Sequence, residues 1–311
     1  MIWVASGERL SRARARFPSM PRCAFLSTDD LSGYVADDAL AIPPLAALGW
    51  RVETLAWRTA DVAWGELDLV VVRSTWDYHE NAPAFERTLA AIDRSGARLA
   101  NPLPLLRWNL RKSYLLDLAG RGVPIVPTTW ERGLDEARLR ALFDELDTEE
   151  IVVKPLVGAS SSGLERIARH DRGERLREVA ASFAGGSALA QPFLPQVACE
   201  GEYSLVFLDG ERSHAIRKVP RAGDYRTQEE AGASIEPVAP EPALAAAAEA
   251  ALARVVPTPL YARVDLVRGS AGGFLLMELE LLEPSLYLRM DPAAPTRLAN
   301  AVDRWWRRGG R

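Results

Sequence analysis

An α/β fold of two or three packed lobes is predicted for this 311-residue chain, and three observations carry that expectation. Strand-like and helix-like patterns alternate from Cys23 onward. The run Leu67-Asp-Leu-Val-Val-Val72 is apolar almost throughout, as a parallel strand covered on both faces must be. A hydrophobic fraction of 48% over this length fills more than one core.

The elements follow in order. "CAFLS" reads as a strand ending in Thr28, Asp29 and Asp30, then a helix over 40–48 and the strand "RVETLAW". The strand through Val72 ends in Arg73, Ser74, Thr75, Trp76 and Asp77. Ligands of open α/β sheets gather at such carboxyl ends. A helix over 83–94 and the strand "ARLANP" complete a first lobe, 21–104. A central lobe, 105–190, opens with a helix over 109–119 that stops at "GRGVP". It continues with an acidic helix near 136–146, the strand "EIVVKP", a Gly/Ser loop and a helix near 174–183. The strand "ALAQPFL" leads into a last lobe, 191–311. There a hairpin turns at Asp209-Gly210, an Ala-rich helix covers 242–255, two further strands follow, and a terminal helix ends in "RWWRR". Trp305 and Trp306 are expected to anchor that helix to a core. Residues 1–20 carry arginines without an apolar pattern and read as a basic tail, disordered or from a start assigned too early. No internal repeat is found.

Composition excludes several classes. A net charge of −4 with both signs mixed along the chain gives no nucleic-acid surface. Cys23 and Cys199 are too few for a disulfide framework or structural zinc, and no apolar run reaches the ~18 residues of a membrane span. A cytoplasmic protein is expected. His79, His170 and His214 share no metal or triad spacing.

The basic residues are more informative. Of 38, only Lys112, Lys154 and Lys218 are lysine. Where arginine serves every generic need for positive charge, a retained lysine marks a site needing a compact ammonium, and phosphate oxygens form such a site. Lys154 closes a buried strand directly before Gly158, Ala159, Ser160, Ser161, Ser162 and Gly163. Small residues let backbone N–H groups approach an anion, although such a loop alone also reads as a surface turn.

In "FLLMELELLEP" strand alternation sets Glu278 and Glu280 on one face and Met277, Leu279 and Leu281 on the other. Asp265, between Val264 and Leu266 on the preceding strand of the same hairpin, can face the same way. Three carboxylates on adjacent strands form an oxygen-rich pocket that suits magnesium bound jointly with phosphate. A solvated sheet face is the plainer alternative. "RKVPRAGDYRTQEEAG" supplies Arg217, Lys218, Asp224, Arg226 and Gln228, whose cations suit a phosphoryl clamp or an exposed loop equally well.

Taken in this order, from Cys23 onward, these segments resemble the ATP-grasp superfamily of carboxylate–amine ligases, in its glutathione-synthetase-like and ribosomal-tail glutamate-ligase-like branch. The strings "RSTWDY", "NLRKSYL", "EGEYSLVF" and "GDYR" look most like the cyclo-ligase subgroup that forms D-cycloserine. The resemblance implies a three-lobed α/β architecture, an N-terminal lobe with two α+β lobes clasping ATP. It implies phosphate contacts for Lys112 and Lys154, with the Gly/Ser loop closing over them. It implies adenine pairing at Gln191, Phe193 and Leu194, and a ribose contact for Glu202. Arg226, with Lys218 and Arg217, would meet the transferring phosphoryl group, and Asp265, Glu278 and Glu280 would hold two Mg2+ ions, with Mn2+ an alternative. The substrate would sit near Ser27, Thr28, Asp29, Arg73, Ser74 and Asp77. Arg73 suits a substrate carboxylate or an ion pair within its own lobe.

The chain departs from the family where Glu280 replaces a frequent Asn and Gln228 replaces another. The reaction implied is activation of a small-molecule carboxylate as an acyl phosphate, with ADP released, then attack by an amine-type nucleophile. A phosphotransferase, a ligase acting on a peptide or protein tail, and a non-catalytic ATP-binding module are the alternatives. A homodimer is the family-level expectation.

Overall fold

In the computed structural model, residues 20–159, 161–171 and 173–309 are described. The basic tail of the sequence reading and Ser160 lie outside them, apart from Met20. Alternating short apolar strands and amphipathic helices near the amino end build a parallel sheet. Its strands are β1 (Arg22–Ser27), β2 (Arg51–Ala56), β3 (Leu69–Val72) and β4 (Arg98–Ala100), in the order β2-β1-β3-β4. Helices α1 (Ile42–Ala47) and α2 (Ala82–Ser95) connect them. Every residue of β3 is buried, as a strand covered on both faces requires.

Of the helix expected over 109–119 only the later part forms, as α4 (Tyr114–Gly120), preceded after a break by a separate short helix, α3 (Leu103–Asn109). The break has a local cause. The Lys112 N–H bonds to the Leu156 carbonyl at 2.8 Å rather than to the preceding turn. The Asn109 side chain is held by the backbone of Leu279 and Leu281 at 2.7 Å each. Lys112 therefore stands on a corner and turns toward the middle of the molecule.

A second sheet, antiparallel, comprises β5 (Thr129–Arg132), β6 (Glu150–Pro155), β7 (Glu165–Ala168) and β8 (Ser187–Pro192), in the order β5-β8-β6-β7. Helices α5 (Glu136–Glu145) and α6 (Glu174–Phe183) cover one face with Leu139, Leu142, Phe143, Leu176, Val179 and Phe183. A short helix, α7 (Pro195–Cys199), leads into the third sheet. Its strands are β9 (Glu202–Leu208), β10 (Glu211–Val219), β11 (Ser234–Pro237), β12 (Tyr261–Arg268) and β13 (Phe274–Glu280), in the order β11-β10-β9-β12-β13. The Ala-rich helix α8 (Pro242–Leu252) packs its small side chains on β12 and β13 beside Phe274 and Leu276. The terminal helix α9 (Ala294–Arg307) wedges between the first and third sheets, where Trp305 is buried and Trp306 meets Trp50 edge-on at 5.1 Å. Both tryptophans anchor the helix as the sequence implies. No helix among the described residues is long and apolar enough to cross a membrane.

Candidate active site

A large cleft lies between the lobes, about 1660 Å³ counting its open mouth, lined by residues of the second and third sheets and by first-lobe residues outside its strands, among them Tyr34, Trp76 and Tyr78. Its floor is the β12–β13 hairpin. Antiparallel register sets Asp265 opposite Glu278 and Arg263 opposite Glu280, with a bulge just after Asp265. One oxygen from each of Asp265, Glu278 and Glu280 lies within 4.8 Å of the others. The face predicted from strand alternation is thus the face that forms.

Each of these carboxylates has a cation. Lys112 pairs with Glu278. Arg263 holds Asp265 at 2.8 Å and also pairs with Glu280. Lys218 pairs with Glu202 and lies 3.6 Å from Asp265, which also accepts the Ser204 hydroxyl at 2.6 Å. Burial works against ionisation of Asp265, yet Arg263 and Lys218 together hold its carboxyl below the ordinary range. Glu278 is likewise lowered, because Lys112 and Lys154 outweigh its burial. Glu280 goes the other way: burial, with Asp265 and Glu278 beside it, outweighs Arg263 and raises its carboxyl. Lys154 is lowered, first by burial and then by the neighbouring Lys112, so it gains most from an arriving anion.

The roof comes from the second sheet. Lys154, Gly158, Ser161 and Ser162 line the cleft, and Gly163 sits just outside it with a left-handed φ of +69°. The end of β8 and the connection to the third sheet supply Gln191, Phe193 and Leu194 to the cleft wall. Gln191 is fixed by the Thr128 hydroxyl at 3.0 Å, and the Arg166 guanidinium covers Phe193 at 3.7 Å. Glu202, beside them, accepts the Thr227 hydroxyl at 2.9 Å. Arg226 reaches the cleft from an exposed loop and chelates Asp224 at 2.8 and 3.1 Å.

Other expected residues are not brought in. Arg217 alternates with Lys218 on β10, so it faces away from the cleft and pairs with Glu236 at 3.0 Å. None of Ser27, Thr28, Asp29, Arg73, Ser74 and Asp77 lines the cleft. Ser27 and Thr28 bond to the Ser74 carbonyl, and Asp29 is exposed. Asp77 is taken by Trp57 and Arg58 at 2.6 and 2.8 Å, and the Ser74 hydroxyl by Asp38. Arg73 is almost wholly buried, paired with Asp38 at 2.9 Å. The carboxyl ends of this sheet do face the interface, but their polar side chains are engaged by other protein groups.

What Arg73 holds instead is the segment after β13. Six successive carbonyls there are each met by a side chain. Asn101 donates to Leu281 at 2.9 Å, Tyr261 to Leu282 at 3.0 Å and Trp76 to Glu283 at 2.9 Å. Arg73 donates to Pro284 at 2.6 Å, Arg263 to Ser285 at 3.1 Å and His214 to Leu286 at 2.8 Å. Side chains from the first lobe and from the third sheet thus replace the ladder this strap lacks. It presents Glu283, Ser285 and Tyr287 to the cleft, which Tyr34 and Trp76 also line.

Sequence reasoning placed Trp76 at a ligand-gathering strand end, and it lines the cleft, but it missed Arg263, Glu283, Tyr287 and Tyr34 as wall residues. Arg263 was within reach, since it precedes Asp265 by two on the same strand and must share its face. The others lie on irregular backbone where no periodicity operates.

A parallel-sheet lobe beside two antiparallel-sheet lobes, with lysines above and paired carboxylates below one cleft, defines a nucleotide-dependent ligase of the ATP-grasp class. Residues 23–101 match the family described as D-cycloserine synthetase DcsG, N-terminal domain, and residues 125–261 match prokaryotic glutathione synthetase, ATP-grasp domain. The cycloserine biosynthesis protein DcsG of Streptomyces lavendulae is 37% identical over 285 residues, spanning 84% of this chain and 92% of that protein. A glutathione synthetase of Prochlorococcus marinus is 31% identical over 172 residues, 49% of this chain and 56% of that one. The crystal structure of D-cycloserine synthetase DcsG superposes with a TM-score of 0.81 at 31% identity, covering 92% of this chain and 99% of that one. D-alanine–D-alanine ligase from Bacillus anthracis shares the fold at a TM-score of 0.67 and 15% identity, covering 93% and 98%. The chain belongs to the ATP-grasp ligase family, whose members use ATP and Mg2+ to form carbon–nitrogen bonds with release of ADP, and within it is closely similar to D-cycloserine synthetase.

Proposed function

We propose that this enzyme activates the carboxylate of a small amino-acid-like molecule as an acyl phosphate and lets a nitrogen nucleophile displace the phosphate, closing a ring in a cycloserine-like pathway. The observation that carries the site is the meeting of Lys112, Lys154 and Lys218 with Asp265, Glu278 and Glu280 in one cleft. Similarity to a cycloserine biosynthesis protein along nearly its whole length supports the substrate class.

In this reading the lobes are 21–104, 105–190 and 191–311. The substrate carboxylate attacks the γ-phosphorus of ATP, the bond to the β-phosphate oxygen breaks, and ADP leaves. The nitrogen then attacks the acyl carbon, inorganic phosphate departs, and one proton is lost from nitrogen. Lys112 and Lys154 hold phosphate oxygens, Lys218 and Arg226 meet the transferring group, and Gln191, Phe193 and Leu194 border the base, with Glu202 at the ribose. Asp265, Glu278 and Glu280 fit a pair of Mg2+ ions, and magnesium bound there supplies charge against the phosphate oxygens, with Mn2+ able to substitute. Gly158 to Gly163 closes over the phosphates and excludes water, to which an acyl phosphate is readily lost. The reaction is placed in the cytoplasm.

The test is magnesium-dependent release of ADP and phosphate with amino acids, O-ureidoserine and dipeptides, with products identified by mass. A condensed or cyclised product supports the reading. ATP binding without acid-stimulated turnover, or a phosphorylated hydroxyl as the end product, rules it out. Lys154→Ala and Glu278→Ala are each expected to lower turnover by at least ~10²-fold while circular dichroism stays unchanged. Unchanged activity in either removes that residue from the site.

A further inference from the structure

The carboxylates on the cleft floor and at its side, Asp265, Glu278, Glu280 and Glu202, all have a cationic partner within the protein. Glu283 has none. Its residue is 8% exposed, it lines the cleft, and among the described residues its carboxylate makes neither a hydrogen bond nor an ion pair. A carboxylate in such a place is readily protonated, and its charged form gains from a cation that enters the cleft. Such a group is kept where something outside the chain supplies the missing charge.

Its position is fixed. The Trp76 indole holds the Glu283 carbonyl and Arg73 holds the next one, so the backbone that carries the carboxylate is pinned from the first lobe. The nearby cations are spent: Lys112 on Glu278, and Arg263 on Asp265 and Glu280. Burial, and then the charge of Glu280, push the Glu283 carboxyl up, so it awaits a positive neighbour. The group of carboxylates with oxygens close enough to share a metal ion is Asp265, Glu278 and Glu280, and Glu283 is not in it. Aromatic side chains stand on the same wall: Tyr34 and Trp76 meet at 5.1 Å, and the Tyr78 hydroxyl is pushed up by burial and then by Glu283. A carboxylate beside aromatic faces is the environment that takes a primary ammonium ion.

We propose that Glu283 anchors the ammonium group of the substrate, making the cleft selective for acids that carry a primary amine. This rests on the ligase reading above and names the feature of the acid that the enzyme selects.

The probes are O-ureidoserine and 3-(ureidooxy)propanoate, the same acid without its amino group, tested with the full chain and its Glu283→Gln variant. The wild type is expected to favour the amino-bearing acid by ~100-fold in kcat/KM, the scale set by one buried charge pair. Glu283→Gln should bring that preference to within ~10-fold by raising KM for the amino acid. It should leave KM for ATP, the magnesium dependence and the rate with the des-amino acid unchanged. Equal loss with both acids, a fall in kcat at constant KM, or a shifted magnesium requirement overturns the assignment. A structural role is read separately: the unliganded variant should melt no lower than the wild type, and a lower Tm also overturns it.

If the wild type turns over neither acid, the substrate class proposed above fails while the subsite remains measurable. Ethylammonium chloride should then raise the Tm of the wild type but not of Glu283→Gln, relative to sodium chloride at equal ionic strength. Protection of both proteins, or of neither, overturns the subsite.

Discussion

At the scale of single residues, the chemistry of a side chain is decided by what burial leaves around it. His214 donates to the Leu286 carbonyl, and its other ring nitrogen meets the Ser213 hydroxyl, which Arg297 also approaches at 2.9 Å. Burial, reinforced by Arg297, holds this imidazole below its ordinary value of 6.5. The unfolded chain therefore takes up a proton as pH falls through 6.5 while the folded chain resists it. Stability from this group is full above 6.5 and is lost as pH drops toward the lower folded value. Urea unfolding at pH 7.5 and 5.5 should show a smaller acid loss in His214→Gln than in the wild type, by up to ~1 kcal/mol. An identical acid loss in both proteins would mean that His214 takes no part. No residue count or spacing announces this role, because the partner is a carbonyl 72 positions away.

At the scale of elements, the strands that carry the site were legible because alternation alone assigns their faces. Glu278 and Glu280 share a face in any register, and only the pairing that sets Asp265 opposite Glu278 was left for the fold to supply. The short edge strands β5, β7 and β11 left no such pattern. In β7 the stretch Glu-Arg-Ile-Ala has one buried side chain, and an ion pair from Arg166 to Glu150 at 2.5 Å sits beside the pairing. The hairpin that carries Glu202 and Lys218 depends on one glycine. Gly201 has φ +102°, and a Cβ there would lie 2.7 Å from the Lys218 carbonyl oxygen. Gly201→Ala should cost about 1–3 kcal/mol in backbone strain alone. It should also weaken ATP binding, because relieving the clash moves the β9–β10 register at Glu202 and Lys218. Calorimetric titration with a non-hydrolysable ATP analogue, alongside urea unfolding, checks both, and wild-type values for either would count against the close approach.

At the scale of the whole molecule, the cleft exists because three lobes meet around it and the strap after β13 is tied to two of them. Its floor is charge-balanced by Lys112, Arg263 and Lys218 before any metal arrives. Chelation of magnesium with EDTA should therefore abolish turnover and leave the Tm within about 2 °C, whereas a metal-supported fold would lose far more. A large fall in Tm would show that the carboxylates depend on the ion for the fold itself. The sequence by itself determined the α/β class, the strands that carry the site and the residue types of the phosphate and metal chemistry. Those rest on periodicity and on lysine retained among arginines, both local to a few residues. Only the tertiary structure decided that Arg73 supports a strap rather than facing the cleft, that Arg217 turns away while Lys218 turns in, and that Glu283 is left without a partner. Each of those outcomes depends on how many groups from distant segments converge on one atom, and pairing at a distance leaves no mark in the order of residues.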